Sequence, residues 1–151
     1  MRRFFYYRLP ALLWLFFVLW ASGPDFASQQ SSLLLLWVWQ RLIGPVEPEI
    51  FQAIHLAVRK AAHLLEYAIL SGLWFRAGRT GAGSAWRPQW GLLALGVALL
   101  TSVTDEAHQS FVPSRTGSGA DVVLDMIGAA AAQALLWMRG SRRDKLHRKS
   151  G

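Results

Sequence analysis

Residues Trp90–Phe111 read WGLLALGVALLTSVTDEAHQSF. The half from Gly91 to Leu100 is purely apolar, while the other half carries Thr101, Ser102, Thr104, Asp105, Glu106, His108 and Gln109. A helix needs about 20 mostly apolar residues to cross a hydrocarbon core roughly 30 Å thick. This segment therefore predicts a membrane-spanning helix, apolar at one end and charged at the other. Ionisable groups inside a span are costly, and they mark either a functional site or an internal pairing network.

Working outward, three further spans follow from apolarity. After a short loop, residues 120–138 open with Asp121 and Asp125 and continue through Gly128 into the small run Ala129 to Ala132, which lets a neighbouring helix come close. Before the central span, no proline occurs between Pro48 and Arg76, so one long helix is predicted, with residues 58–76 in the membrane. Residues 5–22 form the first span, with Arg8 able to reach the interface. Its basic start and apolar stretch also fit a cleaved signal peptide, and both readings place the next loop outside. In that loop, Leu33 to Trp39 is too short to span; Trp37 and Trp39 suit a helix lying in the interface, the alternative being a packed loop segment. The expected fold is all-α: a single integral membrane domain over 1–151, built as a four-helix bundle with this interfacial helix as an optional addition.

Composition agrees. Of the 151 residues 53% are apolar and 17% charged, below the roughly 25% charge of soluble domains. There is no cysteine, which excludes disulfides and thiolate metal sites. The net charge of +7 does not call for nucleic acid, because the basic residues lie in short segments beside the apolar blocks. Twelve of the sixteen Lys and Arg fall in the N-terminus, the 76–89 loop and the tail 139–151; only Arg41, Arg59, Lys60 and Arg115 fall on the other side. Positive charge marks the cytoplasmic face. The expectation is a multi-pass protein of the plasma (cytoplasmic) membrane with both termini and the basic tail inside. Of the acidic residues, only Asp144 lies on the inner side.

The polar groups then converge in depth. Asp105 lies roughly 9 Å along the helix from Phe111, and Asp125 roughly 7–8 Å inside Ala120. Lys60, His63, Glu66 and Tyr67 enter from the same outer side. Lys60, His63 and Tyr67, at i, i+3 and i+7, share one helix stripe; Asp105 and Gln109 are at i, i+4; Asp121, Asp125 and Gly128 continue such spacing on the last span. The anions Glu66, Asp105, Glu106, Asp121 and Asp125 outnumber the cations Lys60 and Arg115, so some carboxylates must be protonated, hydrated, matched by His63 or His108, or bound to an external cation.

These residues resemble a known pattern. Lys60-x-x-His63-x-x-x-Tyr67, then Asp105-Glu106-x-x-Gln109-x-Phe111-x-Pro113-x-Arg115, then Asp121 and Gly128, are similar to the VanZ-like membrane protein family over about Arg59 to Leu136. Arg59 stands where that family often has an acid before the lysine, Asp125 where asparagine is usual and Ala132 where a second glycine is common. The resemblance implies a small multi-span envelope protein, and the family's namesake is associated with resistance to the glycopeptide teicoplanin. It implies no established molecular activity.

Three functions compete. A binding site for an outer-leaflet lipid, a wall precursor or a glycopeptide would open outward, lined by Tyr67, Gln109, Phe111 and Arg115, with Arg115 gripping a carboxylate or phosphate through its fork of donors. A membrane-embedded enzyme acting on a lipid-linked or wall substrate would use the acidic pair with His63 or His108, but no nucleophile with its base and no metal-ligand spacing is visible, and no cofactor is implied. A structural network would only lock the helices together. Asp105-Glu106-Ala107-His108 spells a helicase box without any phosphate-binding loop, so nucleic acid is not expected.

Overall fold

The computed structural model describes residues 2–21, 23, 28–79, 86–111 and 118–149, the side chains of 28–31 and 142–149 excepted. The described elements are all helices: α1 (Arg2–Tyr7), α2 (Leu9–Ala21), α3 (Ser28–Leu42), α4 (Pro48–Arg79), α5 (Pro88–Ser110) and α6 (Gly119–Lys149). The central element is α4, which packs on α6 and α5, on α2, and at its ends on α1 and α3.

Helices α5 and α6, the latter over Gly119–Ser141, are long and apolar enough to cross a membrane, while α2 is apolar but shorter. Large apolar side chains are exposed, and polar ones are buried beside the apolar core. Phe16, Leu92, Leu100, Val123, Ile127 and Trp137 point outward, whereas Ser71, Thr101, Ser102, Asp105, Glu106, Gln109, Asp125 and Gln133 are buried. Facing lipid rather than water removes the penalty on the first set, and the second set must then face the interior.

On α5 the buried stripe runs Gly91, Ala94, Ala98, Thr101 and Ser102, Asp105 and Glu106, Gln109. It is small at one end and polar at the other. Pro88 opens the helix, where a missing N–H costs nothing. Gly128 of α6 makes the closest approach: a Cβ there would lie 2.3 Å from the Leu64 carbonyl oxygen on α4, so only glycine allows the two backbones to touch. Around this crossing lie Val18, Tyr67, Leu70, Ala98 and Ala129, with Trp14, Leu15, Trp74, Leu95 and Met126 against them.

Helices α1 and α2 form one continuous unit. The ladder continues through Arg8, whose N–H donates to Phe4 and whose carbonyl accepts from Leu12. Pro10 has no N–H, so the Tyr6 carbonyl, four residues back, lacks its helical donor. Arg76 of α4 supplies one at 2.7 Å, and its guanidinium lies over the Tyr6 and Tyr7 rings at 4.3 and 5.6 Å. On the next turns Trp14 Nε1 donates to the Glu66 carbonyl at 3.0 Å, fixing α2 along α4.

Where sequence allowed either an interfacial helix or a loop, α3 is a helix with no described residue buried. It ends at Gly44, whose φ of 116° turns the chain toward α4. Between Pro48 and Lys60 only Phe51 of α4 is buried, so this part extends past its partners. At the other end α6 runs on through the basic segment to Lys149, where positive charge suits a helix C-terminus.

Candidate functional site

At the end of the packing where α5 stops and α6 starts, α4, α5 and α6 bring their polar stripes together around Asp125. This carboxylate has no exposed surface. One oxygen lies 3.0 Å from His63 Nδ1 on α4, and the other accepts from the Ser102 hydroxyl on α5 at 2.7 Å. One side chain thus ties three helices. Tyr67, one turn further in on α4, is fully buried, and its hydroxyl lies close to Ser102 without closing a hydrogen bond of normal geometry.

One turn nearer the C-terminal end of α5 lies the acidic pair. Gln109 donates to Asp105 Oδ2 at 3.0 Å, the i, i+4 pairing expected on one helix face. Glu106 Oε2 accepts from the backbone N–H of Ser118 at 2.6 Å. Ser118 is the residue whose carbonyl starts α6, accepting from Asp121 and Val122. Glu106 therefore holds the start of α6 from a neighbouring helix, placing negative charge where a helix N-terminus favours it. The remaining oxygens, Asp105 Oδ1 and Glu106 Oε1, are buried and accept no hydrogen bond from the described residues. Glu66 is half-buried on α4, within electrostatic reach of His63, Asp125 and Asp105.

The other sequence-selected residues lie at the margin. Lys60 is exposed, a turn beyond the part of α4 that its partners cover. Its neighbour Arg59 instead approaches half-buried Asp121, at 4.0 Å. His108 is exposed, and Phe111, at 85% exposure, ends α5. Gly128 forms the helix crossing described above. Arg115 lies outside the described residues.

Residue types for a Ser–His–acid relay are present, but the wiring differs. Such a relay needs the histidine between the hydroxyl and the acid, to take the hydroxyl proton. Here the acid stands between Ser102 and His63, so the serine is held rather than activated. Among the described residues no group of three or more His, Asp or Glu side chains is arranged to hold a metal ion.

Sequence reasoning missed Ser102 as the third partner of Asp125. It also missed a second buried polar cluster toward the opposite end. There Gln133 of α6 donates to the Ser71 carbonyl and hydroxyl at 3.2 and 2.8 Å, and accepts from Trp86 Nε1 at 3.2 Å. Position alone carried a signal: Asp125, Gly128 or Ala129, and Gln133 share one face of α6, as Tyr67 and Ser71 do on α4.

A small all-helical protein with two apolar spans, exposed apolar and buried polar side chains, and a charged layer at one end is the kind of molecule these features define. Residues 5–140 match the VanZ/LLP1 family, and the chain belongs to that family. No curated protein and no solved structure matches it. Family membership together with the apolar spans points to a membrane protein.

Proposed function

We propose that the chain is a four-span protein of the cytoplasmic membrane, with both termini inside, that binds a donor-rich envelope ligand at its outer face. The one-sided distribution of Lys and Arg supports this orientation. The single observation that carries the binding function is the pair of buried carboxylate oxygens, Asp105 Oδ1 and Glu106 Oε1, with no donor among the described residues. Each buried unpaired acceptor costs on the order of 1–3 kcal/mol, more when charged. A ligand presenting N–H, O–H or ammonium groups relieves that cost. Glycopeptides such as teicoplanin and peptide-bearing wall precursors both carry such groups. Arg115, between α5 and α6 in sequence, is the residue best suited by chemistry to hold a ligand carboxylate or phosphate.

The satisfied part of the layer has a separate role. His63, Asp125 and Ser102 use each other's hydrogen-bonding capacity and lock α4, α5 and α6, as a structural network would. The unsatisfied part is the ligand's. Catalysis has less support, since the relay order around Asp125 leaves no activated serine.

Expression in a glycopeptide-susceptible bacterium tests the reading. The wild-type protein should raise the teicoplanin concentration needed to inhibit growth, and Asp105→Asn and Arg115→Ala should each remove that increase at equal membrane abundance. Full protection by both variants would sink the binding site.

A further inference from the structure

The end of the molecule away from the acidic layer holds a groove of about 420 Å³ between α2, α4 and α5. Arg8, Trp74 and Trp90 line it, together with the apolar side chains of Leu12 and Leu93. Trp74 Nε1 and Trp90 Nε1 are buried donors without an acceptor among the described residues. The Arg8 side chain makes no hydrogen bond or ion pair among the described residues, in contrast to Arg76 nearby, which is occupied by Tyr6. The acids with described side chains (Glu47, Glu49, Glu66, Asp105, Glu106, Asp121 and Asp125) all belong to the other half or beyond it. Among the described residues the unsatisfied polar groups here are thus donors, and no described acidic side chain lies beside them.

We propose that this groove binds an anionic phospholipid of the inner leaflet. Its phosphate would take the Arg8 guanidinium and indole N–H groups, and an acyl chain would lie along Leu12 and Leu93. Three features select a lipid over a free anion. The groove is open on one side, its walls between the donors are apolar, and its arginine sits at an end of a span, where headgroups lie. Basic pockets between spans on the cytoplasmic side suit anionic headgroups for this reason. Tryptophan at the headgroup level is at home with its ring apolar and its N–H wet. The proposal rests on the membrane-spanning arrangement above and is independent of the outer ligand.

Full-length protein in detergent, titrated with phosphatidylglycerol and separately with phosphatidylcholine, tests it; the readouts are thermal stability and lipid retained in native mass spectrometry. Phosphatidylglycerol should bind and stabilise, and phosphatidylcholine should do so much less. Arg8→Gln and Trp90→Phe, which keeps the ring, should each weaken phosphatidylglycerol binding by about five- to tenfold. Arg139→Gln, an exposed arginine elsewhere on the inner side, should leave it unchanged. Equal binding of the two lipids overturns the proposal. So does equal stabilisation by inorganic phosphate, or an Arg139→Gln effect as large as that of Arg8→Gln. Release of the protein from membranes by alkaline carbonate would instead overturn the spanning arrangement itself, so the two failures are distinguishable.

Discussion

The two halves of the α4–α5–α6 packing, called outer and inner after the proposed orientation, bury polar groups in opposite ways. The outer half buries charge: Asp125 is held by His63 and Ser102, and beside it Asp105 and Glu106 each keep one oxygen unmatched among the described residues. The inner half buries neutral groups, where the Gln133 amide donates twice to Ser71 and accepts once from Trp86. An amide with a donor and an acceptor end can close a network from within, whereas a carboxylate only accepts and must be given donors. The difference teaches where to look for a ligand: at the end whose own chemistry cannot balance. It also separates two roles within one charged layer, since Asp125 is fully supplied and the acidic pair a turn away is not.

The largest effect should come from breaking the outer tie. Asp125→Ala removes one carboxylate from three helices and leaves His63 and Ser102 without it, at a cost of roughly 3 kcal/mol. Unfolding of the detergent-solubilised protein by sodium dodecyl sulfate, followed by tryptophan fluorescence, measures it. Asp125→Asn should lose less, since an amide oxygen still accepts from Ser102. A loss below about 1 kcal/mol for the alanine variant would mean the outer half is not locked through this residue.

A smaller effect tests the inner half. Gln133→Leu deletes an amide whose partners are neutral, and interhelical hydrogen bonds of this kind average about 0.6 kcal/mol in membranes. The expected loss is roughly 1–2 kcal/mol in the same unfolding measurement. Should Gln133→Leu cost as much as Asp125→Ala, the contrast between a neutral and a charged half would have no energetic content.

Much of this was legible in the sequence because charge inside an apolar stretch is conspicuous. Asp105, Glu106 and Gln109 declared both the span and its polar end, and the i, i+3, i+4 spacings fixed which groups share a face. The all-helical architecture followed from long apolar stretches, one of them opened by Pro48, separated by polar loops. The neutral partners were harder to see. Ser71, Ser102 and Gln133 are ordinary in composition, and their roles appear only once it is known which helices touch. The same holds for Arg76, whose bond to the Tyr6 carbonyl depends on Pro10 of another helix. Lys60 shows the reverse limit: its spacing puts it on the stripe of His63 and Tyr67, but α4 outruns its neighbours there and leaves the side chain exposed.

The smallest effect is expected at that same rim. Arg59 approaches Asp121 at 4.0 Å, with side chains 40% and 19% exposed. At that separation and exposure, water and salt screen the pair, and ordering a long arginine side chain offsets much of the attraction. Arg59→Ala should therefore lower stability by less than about 1 kcal/mol, and by less still at high salt. The same change at Lys60, which has no described ion pair, should fall within error of wild type. A larger, salt-resistant loss at Arg59 would mean that the outer layer draws its compensating charge from this rim and not from His63. In that case the unmatched oxygens of Asp105 and Glu106 would have a protein cation within reach, and the need for donors from a ligand would weaken accordingly.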